Sequence, residues 1–106
     1  MPLSRYDFSS LGLNSALVDN LSSLGYAEMT PIQAQALPSI LSNKDVIAKA
    51  KTGSGKTATF ALGLLNKLEV KRFRVQTLVL CPTRELADQV AVEIRKLARG
   101  IHNIKV

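Results

Sequence analysis

Hydrophobic positions recur along the chain in two rhythms. Leu17, Leu21 and Leu24 fall at i, i+4 and i+7 and predict a helix over residues 14–24, which Gly25 ends. Thr30-Pro31-Ile32-Gln33 predicts a second helix start: Thr30 as N-cap, Pro31 at the first helical position, and Gln33 completing a capping box. Pro38 lies inside that helix and is expected to kink or end it. Residues 45–50 form a short strand candidate. A Gly/Ser/Thr loop at 52–57 leads into an apolar helix reaching about Leu68, and 69–75 is a charged connection. Thr77-Leu78-Val79-Leu80-Cys81 is a continuous apolar run, the pattern of a strand buried on both faces, and Pro82 ends it. Leu86, Val90, Ile94 and Leu97 mark the apolar face of a helix over 84–99, stopped at Gly100. Arg95, Lys96 and Arg99 complement its C-terminal dipole. Residues 103–106 resemble the start of another strand. Two helices followed by β-α-β-α-β predict an α/β fold with a parallel sheet, flanking helices and right-handed crossovers. There is no internal repeat.

The chain has 106 residues, 46% of them apolar and 21% charged, which suits one small globular unit and disfavours disorder. No apolar stretch approaches the ~20 residues that span a bilayer, so no membrane partner is expected. The N-terminus lacks the continuous apolar core of a secretory signal. Cys81 is the single cysteine, which excludes an internal disulfide framework and points to a reducing, cytoplasmic compartment. The charge is unevenly spread. Residues 1–43 carry one basic residue, Arg5, against three acidic ones, whereas 44–106 carry thirteen basic against five acidic. The second segment would attract an anion. Its longest basic cluster, Lys71-Arg72-Phe73-Arg74, reads as a solvated loop or a phosphate contact.

Ala50-Lys51-Thr52-Gly53-Ser54-Gly55-Lys56-Thr57 follows a strand candidate and opens a helix, the context of a phosphate-binding loop. Glycines let successive N–H groups curl inward toward oxyanions, and the helix N-terminus adds partial positive charge. Lys56 would reach the β- and γ-phosphates, and the Thr57 hydroxyl would meet Mg²⁺. The common pattern opens with Gly, where this chain has Ala50. Gln33 has two readings that do not exclude each other. It caps its own helix, or its carboxamide matches the N7 acceptor and N6 donor of adenine and so selects ATP over GTP. Phe8 either stacks on a purine or anchors the N-terminal segment.

Pro82-Thr83-Arg84-Glu85-Leu86-Ala87 sits where the apolar strand turns into a helix, at the same edge as the phosphate loop. Thr83 and Arg84 are candidates for an RNA sugar-phosphate contact; the competing reading makes Thr83 an N-cap and Leu86 and Ala87 core. Glu85 is expected to be structural, Cys81 a buried small residue, and Tyr6 and Tyr26 packing residues. His102 is the single histidine, so no histidine metal cluster is expected.

Phe8, Gly25-Tyr26, Thr30-Pro31-Ile32-Gln33, the loop 50–57 and Pro82-Thr83-Arg84-Glu85-Leu86-Ala87 occur in order. Together they resemble the Q motif, motif I and motif Ia of the DEAD-box RNA helicases. Phe8 stands 17 residues ahead of Gly25, the spacing of that family's upstream aromatic, and Ala50 is the family's usual residue. The run 78–90 resembles a bacterial, ribosomal-RNA-linked subgroup. The resemblance implies residues 1–43 as a Q-motif helical region and 44–106 as the first part of a RecA-like ATP-binding domain. It implies ATP and Mg²⁺ as cofactors, with Lys56 and Thr57 catalytic and Thr57 on the metal. Phe8, Gln33 and Thr52-Gly53-Ser54-Gly55-Lys56-Thr57 would bind the nucleotide, and Pro82, Thr83 and Arg84 would bind RNA, ribosomal by the subgroup resemblance.

The Asp-Glu-Ala-Asp and Ser-Ala-Thr motifs of that family do not occur in the sequence. The chain therefore reads as roughly the first half of the first helicase domain, able to bind but not to turn over ATP alone. Two alternatives are a non-catalytic nucleotide- or RNA-binding module and a scaffold fragment that self-associates through exposed sheet edges.

Overall fold

The computed structural model describes residues 7–51, 53–101 and 103–106; the readings made for Arg5, Tyr6, Thr52 and His102 lie outside them. A short 3-10 turn, Phe8–Leu11, opens the fold and is followed by α1 (Ser15–Ser23), α2 (Pro31–Leu41), α3 (Lys56–Lys67) and α4 (Arg84–Leu97). Asp7 caps the 3-10 turn by accepting the Ser9 hydroxyl at 2.7 Å and the Ser9 N–H at 2.9 Å. Those two bonds hold its carboxyl below the usual carboxylate value.

Asn14 caps α1 by accepting the Ala16 N–H at 2.9 Å, and its own N–H donates to Asn66 Oδ1 at 2.8 Å, which fixes the start of α1 to α3. Gly25, with φ of 87°, ends α1 as expected. Tyr26 N–H returns to the Leu21 carbonyl at 3.0 Å and Gly25 N–H to Ser22 at 3.1 Å, a Schellman stop.

Pro38 does not end α2, which runs on to Leu41. Leu37 beside it is fully buried, and this packing carries the helix through the lost N–H. The stop is Asn43 at φ 63°, with Lys44 N–H on the Ser39 carbonyl and Asn43 N–H on Ile40. Helix α4, by contrast, ends earlier than expected, at Leu97. Gly100 has a different use from a left-handed stop. A Cβ there would lie 2.8 Å from the Ala16 carbonyl oxygen, so glycine lets this turn approach α1.

The hydrophobic core joins both halves of the chain. Leu17 and Leu21 of α1, Leu37 of α2, Ala61, Leu62 and Leu65 of α3, and Val90, Ile94 and Leu97 of α4 form one buried cluster. Helix α3 is its axis. Gly63 on α3 faces Ile40 of α2, and an added Cβ would collide with the Ile40 side chain. Asn20, buried on α1, donates from Nδ2 to the carbonyls of Lys96 at 3.0 Å and Leu97 at 2.9 Å. One α1 side chain thereby satisfies two carbonyls at the C-terminal end of α4.

No strand forms among the described residues, so the expected parallel sheet is absent. Residues 44–51 and 75–82 run outside the helices without ladder bonds to each other. The expectation that 77–81 is buried on both faces is half correct. Val79 and Cys81 pack against the core, whereas Leu78 and Leu80 are 77% and 84% exposed. Parallel strands persist where both faces are covered; here 77–81 is covered on one side and 44–51 is exposed at every residue but Ala50, too little burial to hold a ladder. Leu86, expected in the core of α4, is also partly exposed.

Candidate nucleotide-phosphate site

Residues 53–57 turn sharply into α3. Gly53 and Gly55 have φ of 83° and 91°, and such left-handed positions curl the backbone so that amides converge. Gly55 is the N-cap of α3, which places Lys56 and Thr57 in the first helical turn. Ser54 N–H closes onto the Lys51 carbonyl at 3.3 Å, while Ser54 Oγ is buried without a hydrogen-bond partner.

The Gly55 carbonyl is the anchor of this turn. It accepts Thr59 N–H at 3.1 Å, the Thr59 hydroxyl at 2.8 Å and Gln33 Nε2 at 3.3 Å. Gln33 is 4% exposed, and its Oε1 accepts the Thr30 N–H at 2.9 Å. Its carboxamide therefore straps the first turn of α2 to the first turn of α3. Oε1 meets an obligatory donor and Nε2 an obligatory acceptor, which fixes the amide orientation. Thr30 Oγ1 is buried beside it without a partner. A Cβ on Gly55 would lie 2.6 Å from Gln33 Nε2 and 3.1 Å from Thr30 Oγ1, so only glycine fits.

A groove of about 1520 Å³ joins this turn to the second candidate region. Gln33, Gly53, Gly55, Lys56 and Thr57 line it together with Pro82. Thr83 is the N-cap of α4, accepting the Leu86 N–H at 3.2 Å, and Arg84 is the first helical residue and exposed. The capping reading of Thr83 is thus satisfied, while Pro82 and Arg84 stand at the open end of the same helix. Glu85 sits in that first turn, where a negative charge complements the helix dipole. It forms no ion pair among the described residues, where the pair found is Arg72 Nε to Glu69 at 2.7 Å.

Phe8 is not brought to the groove. It is 4% exposed and lies within the hydrophobic core. Cys81 is half-buried with a free thiol. Tyr26, expected only to pack, lines the groove with Gln33; its hydroxyl donates to Glu93 Oε1 at 3.1 Å and Lys96 Nζ lies 5.5 Å from its ring centroid. The signal for Tyr26 was its place directly after the Gly25 stop, which folds the next residue back over α1. Among the described residues no group of three His, Cys, Asp or Glu side chains could hold a metal, and no helix is long and apolar enough to cross a membrane.

A family model for DEAD/DEAH box helicases matches residues 30–106. The chain belongs to this family. Among curated relatives of this DEAD-box chain, the ATP-dependent RNA helicase DbpA of Escherichia coli (strain K12) is 60% identical over 100 residues, which cover 93% of this chain and 22% of that protein. The DEAD-box ATP-dependent RNA helicase CshA of Bacillus cereus (strain ATCC 10987 / NRS 248) is 47% identical over 92 residues, 87% of this chain and 18% of that protein. Among solved structures, S. cerevisiae Dbp5 bound to RNA and ADP BeF3 superimposes with a TM-score of 0.85 at 31% identity, over 90% of this chain and 25% of that one. Prp28 from Chaetomium thermophilum bound to ADP gives 0.81 at 40% identity, over 96% and 26%. The helical framework therefore has the arrangement of a RecA-like DEAD-box domain. The chain spans about a fifth to a quarter of the length of these relatives.

Proposed function

We propose that this chain is the adenine-nucleotide-binding part of an ATP-dependent RNA helicase. The observation that carries the reading is the turn at 53–57, with two left-handed glycines, a carbonyl anchored by Gln33 and Thr59, and Lys56 and Thr57 opening α3 into the groove. The residues fit a polyphosphate: Gly53, Gly55, Lys56 and Thr57 line the groove at the N-terminus of α3, and buried Ser54 Oγ lacks a protein partner. The amides of 53–57 would bind the phosphate oxygens and Lys56 would neutralise them. The Thr57 hydroxyl would ligate Mg²⁺. ATP, when bound, supplies the phosphoanhydride whose hydrolysis drives the parent enzyme's cycle.

Gln33 would recognise adenine with the carboxamide donor and acceptor capacity left beyond Thr30 and Gly55. Tyr26 offers the aromatic face in the groove that Phe8, packed in the core, does not offer here. Pro82, Thr83 and Arg84 would contact an RNA backbone at the N-terminus of α4. The resemblance of 78–90 to the ribosomal-RNA-linked subgroup supports ribosomal RNA as the substrate, and the single cysteine, Cys81, fits a reducing compartment such as the cytoplasm. The Asp-Glu-Ala-Asp and Ser-Ala-Thr sequences do not occur in the 106 residues, so the chain by itself binds nucleotide without turning it over. Calorimetric titration with Mg·ADP should show saturable binding that Lys56→Ala weakens at least tenfold. Turnover of ATP by the purified chain, abolished by Lys56→Ala, would show that the chain is catalytic alone and overturn the non-catalytic part of the proposal.

A further inference from the structure

The basic cluster at 71–74 is left unused by the site described above. It lies in the connection after α3, and that helix of 12 residues is about 18 Å long, which puts the cluster at the opposite end of α3 from the phosphate turn. The connection was expected to be a solvated charged loop. It is exposed as expected, and it is also a closed turn pinned by one side chain. Gln76 Oε1 accepts the Glu69 N–H at 2.9 Å, and Gln76 Nε2 donates to the carbonyls of Glu69 at 2.8 Å and Arg72 at 3.1 Å. Arg72 pairs with Glu69 across the same turn, and Arg74 N–H closes onto the Arg72 carbonyl at 2.9 Å.

The pinned turn presents Phe73 to solvent at 88% exposure, between Arg72 and Arg74 and close to Lys71. A large aromatic side chain held that far out contributes almost nothing to the core. Glu69 offsets Arg72, which leaves Lys71 and Arg74, both exposed and within two residues of Phe73, as the cations of the cluster without an ion pair among the described residues. An aromatic face flanked by two cations matches the repeat of a single-stranded nucleic acid, with one base to stack and the adjoining phosphates to neutralise. We infer that residues 71–74 form a second, nucleotide-independent contact for single-stranded RNA, in which Phe73 stacks on a base and Lys71 and Arg74 hold the flanking phosphates. The inference rests on the proposed function only in taking RNA as the polyanion.

The test is fluorescence anisotropy of a labelled single-stranded RNA with the chain, without nucleotide, at several salt concentrations. Phe73→Ala should weaken binding about five- to 150-fold, and Phe73→Tyr should retain it. Lys71→Ala with Arg74→Ala should reduce the slope of log affinity against log salt by about 1.4, two phosphates at ~0.7 each. Phe73 is exposed, so these variants leave the core intact. Unchanged affinity in Phe73→Ala overturns the inference. So does displacement of the RNA by polyglutamate at equal charge, which would mark an acidic protein as the occupant. If Arg84→Ala weakens binding and Phe73→Ala does not, the 82–84 contact stands and this one fails. If the chain binds no RNA at all, both fail.

Discussion

At the scale of single residues, the Gln33 carboxamide and the Gly55 carbonyl decide whether the phosphate turn holds its shape. Gln33→Ala removes the acceptor of the Thr30 N–H and one of the three donors on Gly55. Leaving buried backbone groups less satisfied costs about 1–3 kcal/mol. A urea titration should therefore show a lowered midpoint together with weaker ADP binding. Gly55→Ala acts differently. It forces a Cβ into a left-handed position against Gln33 and should abolish nucleotide binding while the far-ultraviolet circular dichroism stays helical. The sequence announced Gln33 through its capping spacing. It did not announce that the same amide reaches 22 residues ahead to Gly55, because that contact exists only once α2 packs on α3.

At the scale of elements, short polar contacts set how the helices meet. Asn20 joins α1 to the end of α4, and Asn20→Ala should lower stability by about 1–3 kcal/mol, measured as a drop in the denaturant midpoint. Thr83→Ala removes the cap of α4, worth about 0.5–2 kcal/mol, read in the same way. All four helices were legible, since each carries an apolar periodicity or a cap that acts locally. Their ends were less so. Pro38 was expected to kink or end its helix; it does not end it, since burial of Leu37 outweighs one lost hydrogen bond, and the stop falls to Asn43, whose left-handed geometry has no periodic signature. Gly100 looked like a cap and proves to be a contact, since its neighbour Ala16 is remote in sequence. The strands expected at 45–50 and 77–81 form no ladder among the described residues; an apolar run records what a segment can bury, not whether a ladder partner is beside it.

At the scale of the whole molecule, one compact helical core leaves an apolar surface uncovered. Ile47, Val75, Leu78 and Leu80 all face solvent on segments without ladder partners. Such segments template pairing between copies. Sedimentation should therefore depend on concentration, and Ile47→Lys with Leu78→Lys should shift the chain toward monomer. The phosphate turn and the start of α4 were legible as candidate sites because their residue types sit at fixed local spacing. The groove that joins them was not, nor was the placement of Tyr26 in it, whereas Phe8 in the core agrees with its reading as an anchor of the N-terminal segment. Those depend on how α1, α2 and α3 pack.

The central claim is that the turn at 53–57 seats an adenine nucleotide selected by Gln33. Titrating the chain with fluorescent ADP, then competing with ATP and with GTP, tests it most directly. Binding should be saturable, displaced by ATP, at least tenfold more weakly by GTP, and lost in Lys56→Ala. Equal competition by GTP, or binding indifferent to Lys56→Ala, would contradict it.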